Sequence, residues 1–329
     1  MKNIPDYQDV LNAAERIEHV VYNTPLLQNQ QLNKKTGANV FIKPECLQRT
    51  GSFKFRGAYN AISMIENNRK KNGVVACSSG NHAQGVAEAA RLLGINATIV
   101  MPDDSPVIKL ERTRRSGAQV VTYHRENDDR DAIALNICED TGATYIHPFN
   151  NPHVIAGQGT TGLEIARQLR EHEAGNGVQL NRALVCTGGG GLTSGLALAL
   201  DYNFENIKIH SVEPEGFDDY SRSLSVGQRV ENSNRSGSIC DALLTESPGK
   251  IGFRINRGLL ANGLVVSDQE ALNAVKFAFH ELKLVVEPGG AVALAALLNS
   301  DKKWSGESIV CIISGGNIDP QMMARALAE

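Results

Sequence analysis

The chain has 329 residues, enough to bury a large core and, by size alone, to form about two domains. Its 42% hydrophobic and 21% charged residues, with both signs mixed, are those of an ordered globular protein and exclude disorder. Thirty-three Lys and Arg against 36 Asp and Glu give a net charge of -3 without a long basic run, which argues against a nucleic-acid partner.

The N-terminus, "MKNIPDYQDVLNAAERIEHVV", carries acids and no central apolar run, and nowhere do about 18 apolar residues follow one another. A cytoplasmic protein with no membrane partner is expected. The six cysteines, at 46, 77, 138, 186, 240 and 311, form no CxxC pair, so they read as reduced thiols and not as zinc or redox sites.

In chain order, Val10, Ala14, Ile17 and Val21 fall at helical spacing, and Pro25 limits that helix. "NVFIKPE" reads as a short strand, and "FKFRGAYNAISMIENN" from Phe53 as a helix. The polar "NRKKNG" after it suits a crossing between domains. "VVAC", "ATIVM" and "AQVVTY" then alternate with helices from about His82, from near Pro106 and through "DAIALNICED", the grammar of βαβ units on a parallel sheet. Beyond "HPFNNP" the alternation resumes with a helix through "GLEIARQLREH", the strand "ALVC", a helix from Leu192 and the strand "IKIHSV". Helices through "EALNAVKFAFHELK" and "GAVALAALLNS" and a last strand "SIVCIIS" complete the chain.

Four motifs follow directly after apolar runs: "CSSGNH", "TGGGGLTSG", "EPEGFDD" and "SGGN". In open α/β sheets ligands sit at the carboxyl ends of strands, so the four loops are expected to converge on one crevice. The four glycines 188 to 191 let backbone approach an anion, and the helix after them offers free N–H groups and a positive dipole end. Thr193 stands where a dinucleotide fingerprint needs its third glycine, and no Gly-Lys-Ser/Thr ending makes a P-loop. The turn at 77 to 85 supplies small hydroxyls, an amide and an imidazole suited to a substrate carboxylate, although a first-turn histidine such as His82 equally serves packing or capping. Glu213, Glu215, Asp218 and Asp219 read equally as a hard-cation site or a solvated acidic loop.

Lys54 lies between Phe53 and Phe55, which predicts a desolvated ammonium of lowered pKa with more free amine for nucleophilic attack. A helix-end lysine covering apolar surface has the same sequence. A phosphate cradle in the same chain shifts the balance, because pyridoxal phosphate needs both a Schiff-base lysine and a phosphate site.

With "QRTGSFKFRGAYNA", "CSSGNHAQGVA", "HPFNNPHVIAGQGTTGLEI", "GGGGLTSG", "EPG" at 287 to 289 and "SGGN" in this order, nearly the whole chain resembles the fold type II pyridoxal-phosphate enzymes, within them the threonine/serine dehydratases and serine racemases. The resemblance implies a tryptophan-synthase-β-like α/β fold with two open, twisted, mainly parallel sheets flanked by helices. A large cofactor-binding domain would comprise residues 1–64 and 148–329, with a small mobile domain, 65–147, inserted. It implies that Lys54 carries pyridoxal 5'-phosphate, that Phe53 lies beside its ring and that Asn81 hydrogen-bonds its phenolic oxygen. Gly188, Gly189, Gly190, Gly191 and Leu192 match the phosphate loop, Ser314 the partner of the pyridine nitrogen, and Glu287 belongs with the cofactor-binding residues. Ser78, Ser79, Asn81, His82 and Phe149 are the implied substrate contacts. Glu213, Phe217 through its carbonyl, and Asp219 match a divalent-cation site, for magnesium first, with manganese or calcium as alternatives.

The implied reaction is β-elimination from threonine, serine or a related β-hydroxy amino acid, with Lys54 taking the Cα proton. Ser79 matches the serine of racemases, so serine or aspartate racemisation stays open. So does dehydration of a specialised substrate such as hydroxyaspartate or a hydroxyectoine breakdown product. Phe149 matches an aromatic of the threonine dehydratases. A homodimer or homotetramer is implied. With the chain ending at Glu329, no C-terminal regulatory domain and no isoleucine feedback are expected.

Overall fold

The computed structural model describes residues 4–105, 107–124, 127–172, 178–234 and 236–328, which contain two parallel sheets. One sheet has the order β1-β9-β6-β7-β8, with β1 (Asn39–Pro44), β6 (Arg182–Cys186), β7 (Lys208–Pro214), β8 (Leu260–Val266) and β9 (Ser308–Ile313). The other has the order β4-β3-β2-β5, with β2 (Val74–Cys77), β3 (Ala97–Pro102), β4 (Gln119–Tyr123) and β5 (Thr144–Tyr145). Every pairing in both is parallel.

In chain order the helices are α1 (Tyr7–Ile17), α2 (Gln30–Thr36), α3 (Lys54–Ser63), α4 (Asn67–Lys70), α5 (Asn81–Leu93), α6 (Val107–Arg115) and α7 (Arg130–Thr141). There follow α8 (Pro152–His172), α9 (Gly191–Asn203), α10 (Asp219–Val226), α11 (Lys250–Leu259), α12 (Asp268–Phe277), α13 (Pro288–Leu298) and α14 (Pro320–Ala328).

The central strands read as unbroken apolar runs because both of their faces are covered. Val40, Ile42, Leu184, Cys186, Ile309 and Cys311 pack on the side of α12 and α13. Their neighbours Phe41, Ala183, Val185, Val310 and Ile312 pack on the side of α8 and α9. In the smaller sheet Val74 and Ala76 join Phe55, Ala58 and Ile62 of α3 and Ala83 and Val86 of α5, while Val75 and Cys77 face Ala134 of α7.

Several expectations need correction. α1 ends at Ile17, before Pro25 could limit it; Ala13 takes the core position assigned to Ala14, and Val20 and Val21 pack from a following turn. The helix in "EALNAVKFAFHELK" changes at Phe277 into a π-helical turn over Ala278–Leu282 and stops at Lys283, whose φ is 58°. Pro106 lies outside the described residues, and α6 begins at Val107. The polar "NRKKNG" forms the end of α4 and a turn, a local structure that agrees with its reading as a crossing between domains. β8 and the two-residue β5 carried no clear signal, since β8 is a half-exposed edge strand with Asn262 and Gly263 in its middle. All six cysteines are free; Cys77, Cys186, Cys240 and Cys311 are buried, and Cys46 and Cys138 half-buried. Among the described residues no helix is long and apolar enough to cross a membrane.

A buried ionic cluster ties the first part of the chain to α8. Arg56, with no solvent exposure, reaches Glu45 at 2.7 Å and Glu164 at 2.6 Å, and Lys43 reaches Glu164 at 2.8 Å and the Thr24 carbonyl at 2.8 Å. Burial alone would favour a neutral Arg56, but the two carboxylates outweigh it and hold the guanidinium charged. Removing one partner of such a cluster leaves uncompensated buried charge. Arg56→Met is therefore expected to lower stability in urea unfolding by about 3–5 kcal/mol, with part of the loss recovered by adding Glu45→Gln.

Candidate active site

Three of the four strand-end loops meet at one cavity of ≈ 390 Å³ between the two sheets: Ser78 to His82 after β2, Gly188 to Gly191 after β6, and Ser314 with Asn317 after β9. Lys54 enters it from the first turn of α3, together with Phe53. The fourth loop, after β7, does not line the cavity, which corrects the expectation of a single crevice for all four.

The sequence around Lys54 explains its placement. Thr50 and Gly51 hold positive φ values of 64° and 75°, turning the chain so that Ser52 pairs with Gly315 and the Phe53 N–H donates to the Ser314 carbonyl at 3.2 Å. α3 then points Lys54 into the cavity while Phe55 and Arg56 are buried beside it. The Lys54 ammonium donates to the Pro148 carbonyl at 3.2 Å and lies 5.2 Å from the Phe53 ring centroid. Burial pulls its pKa down to about 8 against the opposing pull of Glu287, so a substantial share of the amine is neutral near physiological pH.

Across the cavity the glycine loop caps α9. Gly190 has φ +86°, and a Cβ on it would fall 2.2 Å from the Tyr220 hydroxyl; one on Gly189 would fall 2.4 Å from the Phe149 ring. Bare backbone is therefore the surface this loop presents, with the first-turn N–H groups of α9 behind it. α5 begins at Asn81 on Gly80 with no side-chain cap, so a second helix N-terminus faces the same space. Two positive helix ends and an amine that is more easily deprotonated than an exposed lysine suit an anionic ligand with an aldehyde.

The remaining implied residues divide by position. Leu192, Glu287, Ser314, Ser78, Ser79, Asn81 and Phe149 line the cavity. His82 also lines it, but its Nε2 lies 2.8 Å from the Ile146 carbonyl, and burial lowers its pKa to about 3, so it is a neutral packing group tying α5 to the strand-end at 146. Glu213, Phe217 and Asp219 are buried behind the glycine loop, on the far side of Tyr220. Glu213 accepts the backbone N–H groups of Tyr220 and Ser221 at 2.8 and 2.7 Å. Asp219 accepts from Asn232 at 2.6 Å through Oδ1, and its buried Oδ2 has no partner. Burial raises both pKa values, that of Asp219 to about 7, and each carboxylate is worse off for the other's charge or for nearby Asp218. Two buried carboxylates destabilised in their charged form, with one oxygen unpartnered, fit a cation; among the described residues no third carboxylate, imidazole or thiol joins them, so backbone carbonyl would have to complete the shell.

The sequence reading passed over several contributors. His147 stacks edge-on against Phe149 at 4.6 Å, and its Nδ1 accepts the N–H groups of Phe149 and Asn150 at 3.3 and 2.9 Å. Pro148 gives Lys54 its carbonyl, Cys186 forms part of the cavity wall, and the segment from Asp241 to Lys250 closes one side. His147 and Pro148 belong to the recognisable stretch "HPFNNP", whereas the 241–250 segment offers no comparable signal.

The sequence profile of pyridoxal-phosphate dependent enzymes matches residues 17–315. The chain belongs to this family. This pyridoxal-phosphate dependent enzyme is 43% identical over 324 residues to an L-threo-3-hydroxyaspartate ammonia-lyase of Pseudomonas sp, covering 98% of this chain and 99% of that one. It is 40% identical to a serine racemase of Schizosaccharomyces pombe, covering 99% and 98%. Its fold matches that of the T.th. threonine deaminase with a TM-score of 0.90 and 40% identity, covering 96% of this chain and 99% of that one. The two-sheet fold is thus the fold type II architecture, and pyridoxal 5'-phosphate is the family's cofactor.

Gly190→Ala in this pyridoxal-phosphate dependent enzyme is expected to cost about 1–2 kcal/mol of backbone strain and to push the loop away from Tyr220, distorting the phosphate cradle. Far-UV circular dichroism should stay at the parental level while the purified protein loses the yellow colour of bound cofactor.

Proposed function

We propose that the enzyme is an ammonia-lyase that converts L-threonine, L-serine or a related β-hydroxy amino acid to a 2-oxo acid and ammonia by β-elimination. The observation that carries the reading is a desolvated lysine facing a glycine loop at a helix N-terminus within one cavity. Lys54 would hold the cofactor's aldehyde carbon, Gly188 to Gly191 and Leu192 its phosphate, Ser314 its ring nitrogen and Asn81 its phenolic oxygen. Bound there, the cofactor supplies an electron sink that acidifies the substrate's Cα–H bond.

The chain's own residues supply the rest. The neutral share of Lys54 accepts the Cα proton, which its lowered pKa favours near pH 8. Ser78, Ser79 and the unpaired N–H groups at the start of α5 bind the substrate carboxylate. A serine at 314, in place of a carboxylate, keeps the ring nitrogen largely unprotonated and favours elimination over longer-lived carbanion chemistry. Phe149 packs on the glycine loop and shapes the space for the β-substituent. Residues 65–147, holding α5 and the small sheet, would move as a small domain against 1–64 with 148–329 and exclude water on closing.

Two observations favour neighbouring readings. Ser79 stands in the cavity as a second proton-carrying group, and the enzyme is similar to a serine racemase, which supports inversion at Cα as an accompanying activity. Arg130 and Arg229 reach the cavity wall, and the similarity to an L-threo-3-hydroxyaspartate ammonia-lyase supports a substrate with a second carboxylate. We further propose a homo-oligomeric, cytoplasmic enzyme whose Glu213, Phe217 carbonyl and Asp219 bind magnesium, manganese or calcium; the partnerless Asp219 Oδ2 supports it.

A panel of L- and D-β-hydroxy amino acids, assayed both for 2-oxo acid release and for inversion at Cα, tests the function. Predominant 2-oxo acid release from L-substrates is expected, with borohydride fixing the cofactor on Lys54, and predominant inversion would replace this reading by the racemase. Ser79→Ala is expected to remove inversion and use of D-substrates while sparing most L-elimination.

For the cation, chelation should lower the thermal unfolding midpoint, and added magnesium should restore it. Asp219→Ala should abolish that response, and a midpoint indifferent to chelator would refute the site.

A further inference from the structure

Asn317, the last residue of "SGGN", has no role in the reaction scheme above. Its side chain nevertheless sits at the junction of three cavity-lining segments. Its Nδ2 donates to the Thr50 carbonyl at 2.8 Å and to Asn81 Oδ1 at 2.7 Å, and Asn81 Nδ2 donates to Glu287 Oε1 at 2.6 Å. The chain Thr50–Asn317–Asn81–Glu287 thus joins the turn before Lys54, the loop after β9, the first residue of α5 and the residue directly before α13.

The direction of this chain follows from its ends. A peptide carbonyl only accepts, so Asn317 must offer its NH₂ end to Thr50. Asn81 then has to meet that same NH₂ group with its oxygen, which leaves its own NH₂ toward the Glu287 carboxyl. Both termini agree on one orientation, although an amide by itself has two nearly equivalent ones. Gly315 lets these groups lie directly against its backbone: a Cβ on it would overlap Glu287 Oε1 and fall 3.1 Å from Asn81 Nδ2.

We propose that Asn317 is a positioning residue that sets the Asn81 amide with its N–H donors toward Glu287 and the cavity. An NH₂ group carries two hydrogens, so one remains beyond the bond to Glu287 for a ligand acceptor. The inference rests on the reading of Asn81 as donor to the cofactor's phenolic oxygen. It adds that this donor is selected by Asn317 and Thr50 and not by Asn81 itself. The strained Thr50, with φ 64°, has its carbonyl held by the same side chain, so the Lys54 turn and the Asn81 amide are set by one group.

Asn317→Ala and Asn317→Asp separate orientation from simple bracing. Alanine removes the lock but leaves Asn81 its bond to Glu287. Aspartate accepts instead of donating, so it draws the Asn81 NH₂ group to itself and turns the oxygen toward Glu287 and the cavity. Loss of pyridoxal phosphate from diluted holoenzyme is expected to accelerate roughly tenfold for Asn317→Ala and roughly a hundredfold for Asn317→Asp, with matching thermal unfolding midpoints. The visible absorption band of Asn317→Asp holoenzyme should change in the same sense as that of Asn81→Ala. Equal effects of the two Asn317 variants, or a parental Asn317→Asp beside an altered Asn81→Ala, would overturn the inference alone. Parental release and absorption in Asn81→Ala would overturn the reading of Asn81 and the inference with it.

Discussion

Lys54 is buried and yet aimed into the cavity because its neighbour two residues on is fixed. Arg56 is enclosed by Glu45 from the segment after β1 and by Glu164 from α8, and Glu164 is shared with Lys43. The desolvation cost of four ionisable groups is met by their mutual charge and by the Thr24 and Tyr22 carbonyls. α3 is thereby pinned at its first turn to both β1 and α8, and Lys54, one residue into that turn, inherits a defined direction. Its own partners, the Pro148 carbonyl and the Phe53 ring, are weak by comparison, which suits a side chain that must exchange partners during a reaction.

The cavity is electrically biased by the backbone before any side chain is considered. Parallel strands deliver α5 and α9 N-terminus first to the same space, and neither helix has a capping side chain to consume its free N–H groups. Glu287 directly precedes α13 nearby and is the countercharge that restrains the fall in the Lys54 pKa. The same geometry that makes a phosphate site therefore desolvates and partly discharges the lysine opposite it. Tyr220 transmits a second constraint, since it backs Gly190 on one side and donates its N–H to Glu213 on the other. Tyr220 thereby stands between the acidic pair and the glycine loop, its backbone on the first and its ring on the second.

Much of this was legible because parallel strands covered on both faces leave continuous apolar runs, and the loop after each run is where ligands bind. "VVAC", "ALVC" and "SIVCIIS" located β2, β6 and β9, and their following motifs line the cavity. β8 escaped because an edge strand with one exposed side carries no such run. α1 was overextended because Val20 and Val21 keep helical spacing while leaving the helix. The Arg56 cluster had no local signal: its carboxylates lie 11 and 108 residues away, and a buried arginine has the same sequence as an exposed one. The fourth loop looked equivalent to the others by position after its strand, yet β7 lies next to the sheet edge and its loop ends behind Tyr220.

Sequence by itself determined the residue types, their order and the strand-end niche of each motif, because hydrophobic periodicity and glycine runs are local properties of the chain. It also pointed to Lys54 and the glycines 188 to 191 as parts of one site, since a lysine between phenylalanines and a phosphate cradle are jointly informative. Only the tertiary structure decided which groups face each other: that Lys54 meets the Pro148 carbonyl, that His82 spends its nitrogen on Ile146, and that Glu213 and Asp219 stand apart from the cavity. The orientation of Asn81, fixed through Asn317 by a carbonyl 31 residues before it in the chain, is of the same kind. Such facts depend on the direction of hydrogen bonds between distant segments, and direction exists only once the sheets have brought those segments within about 3 Å of one another.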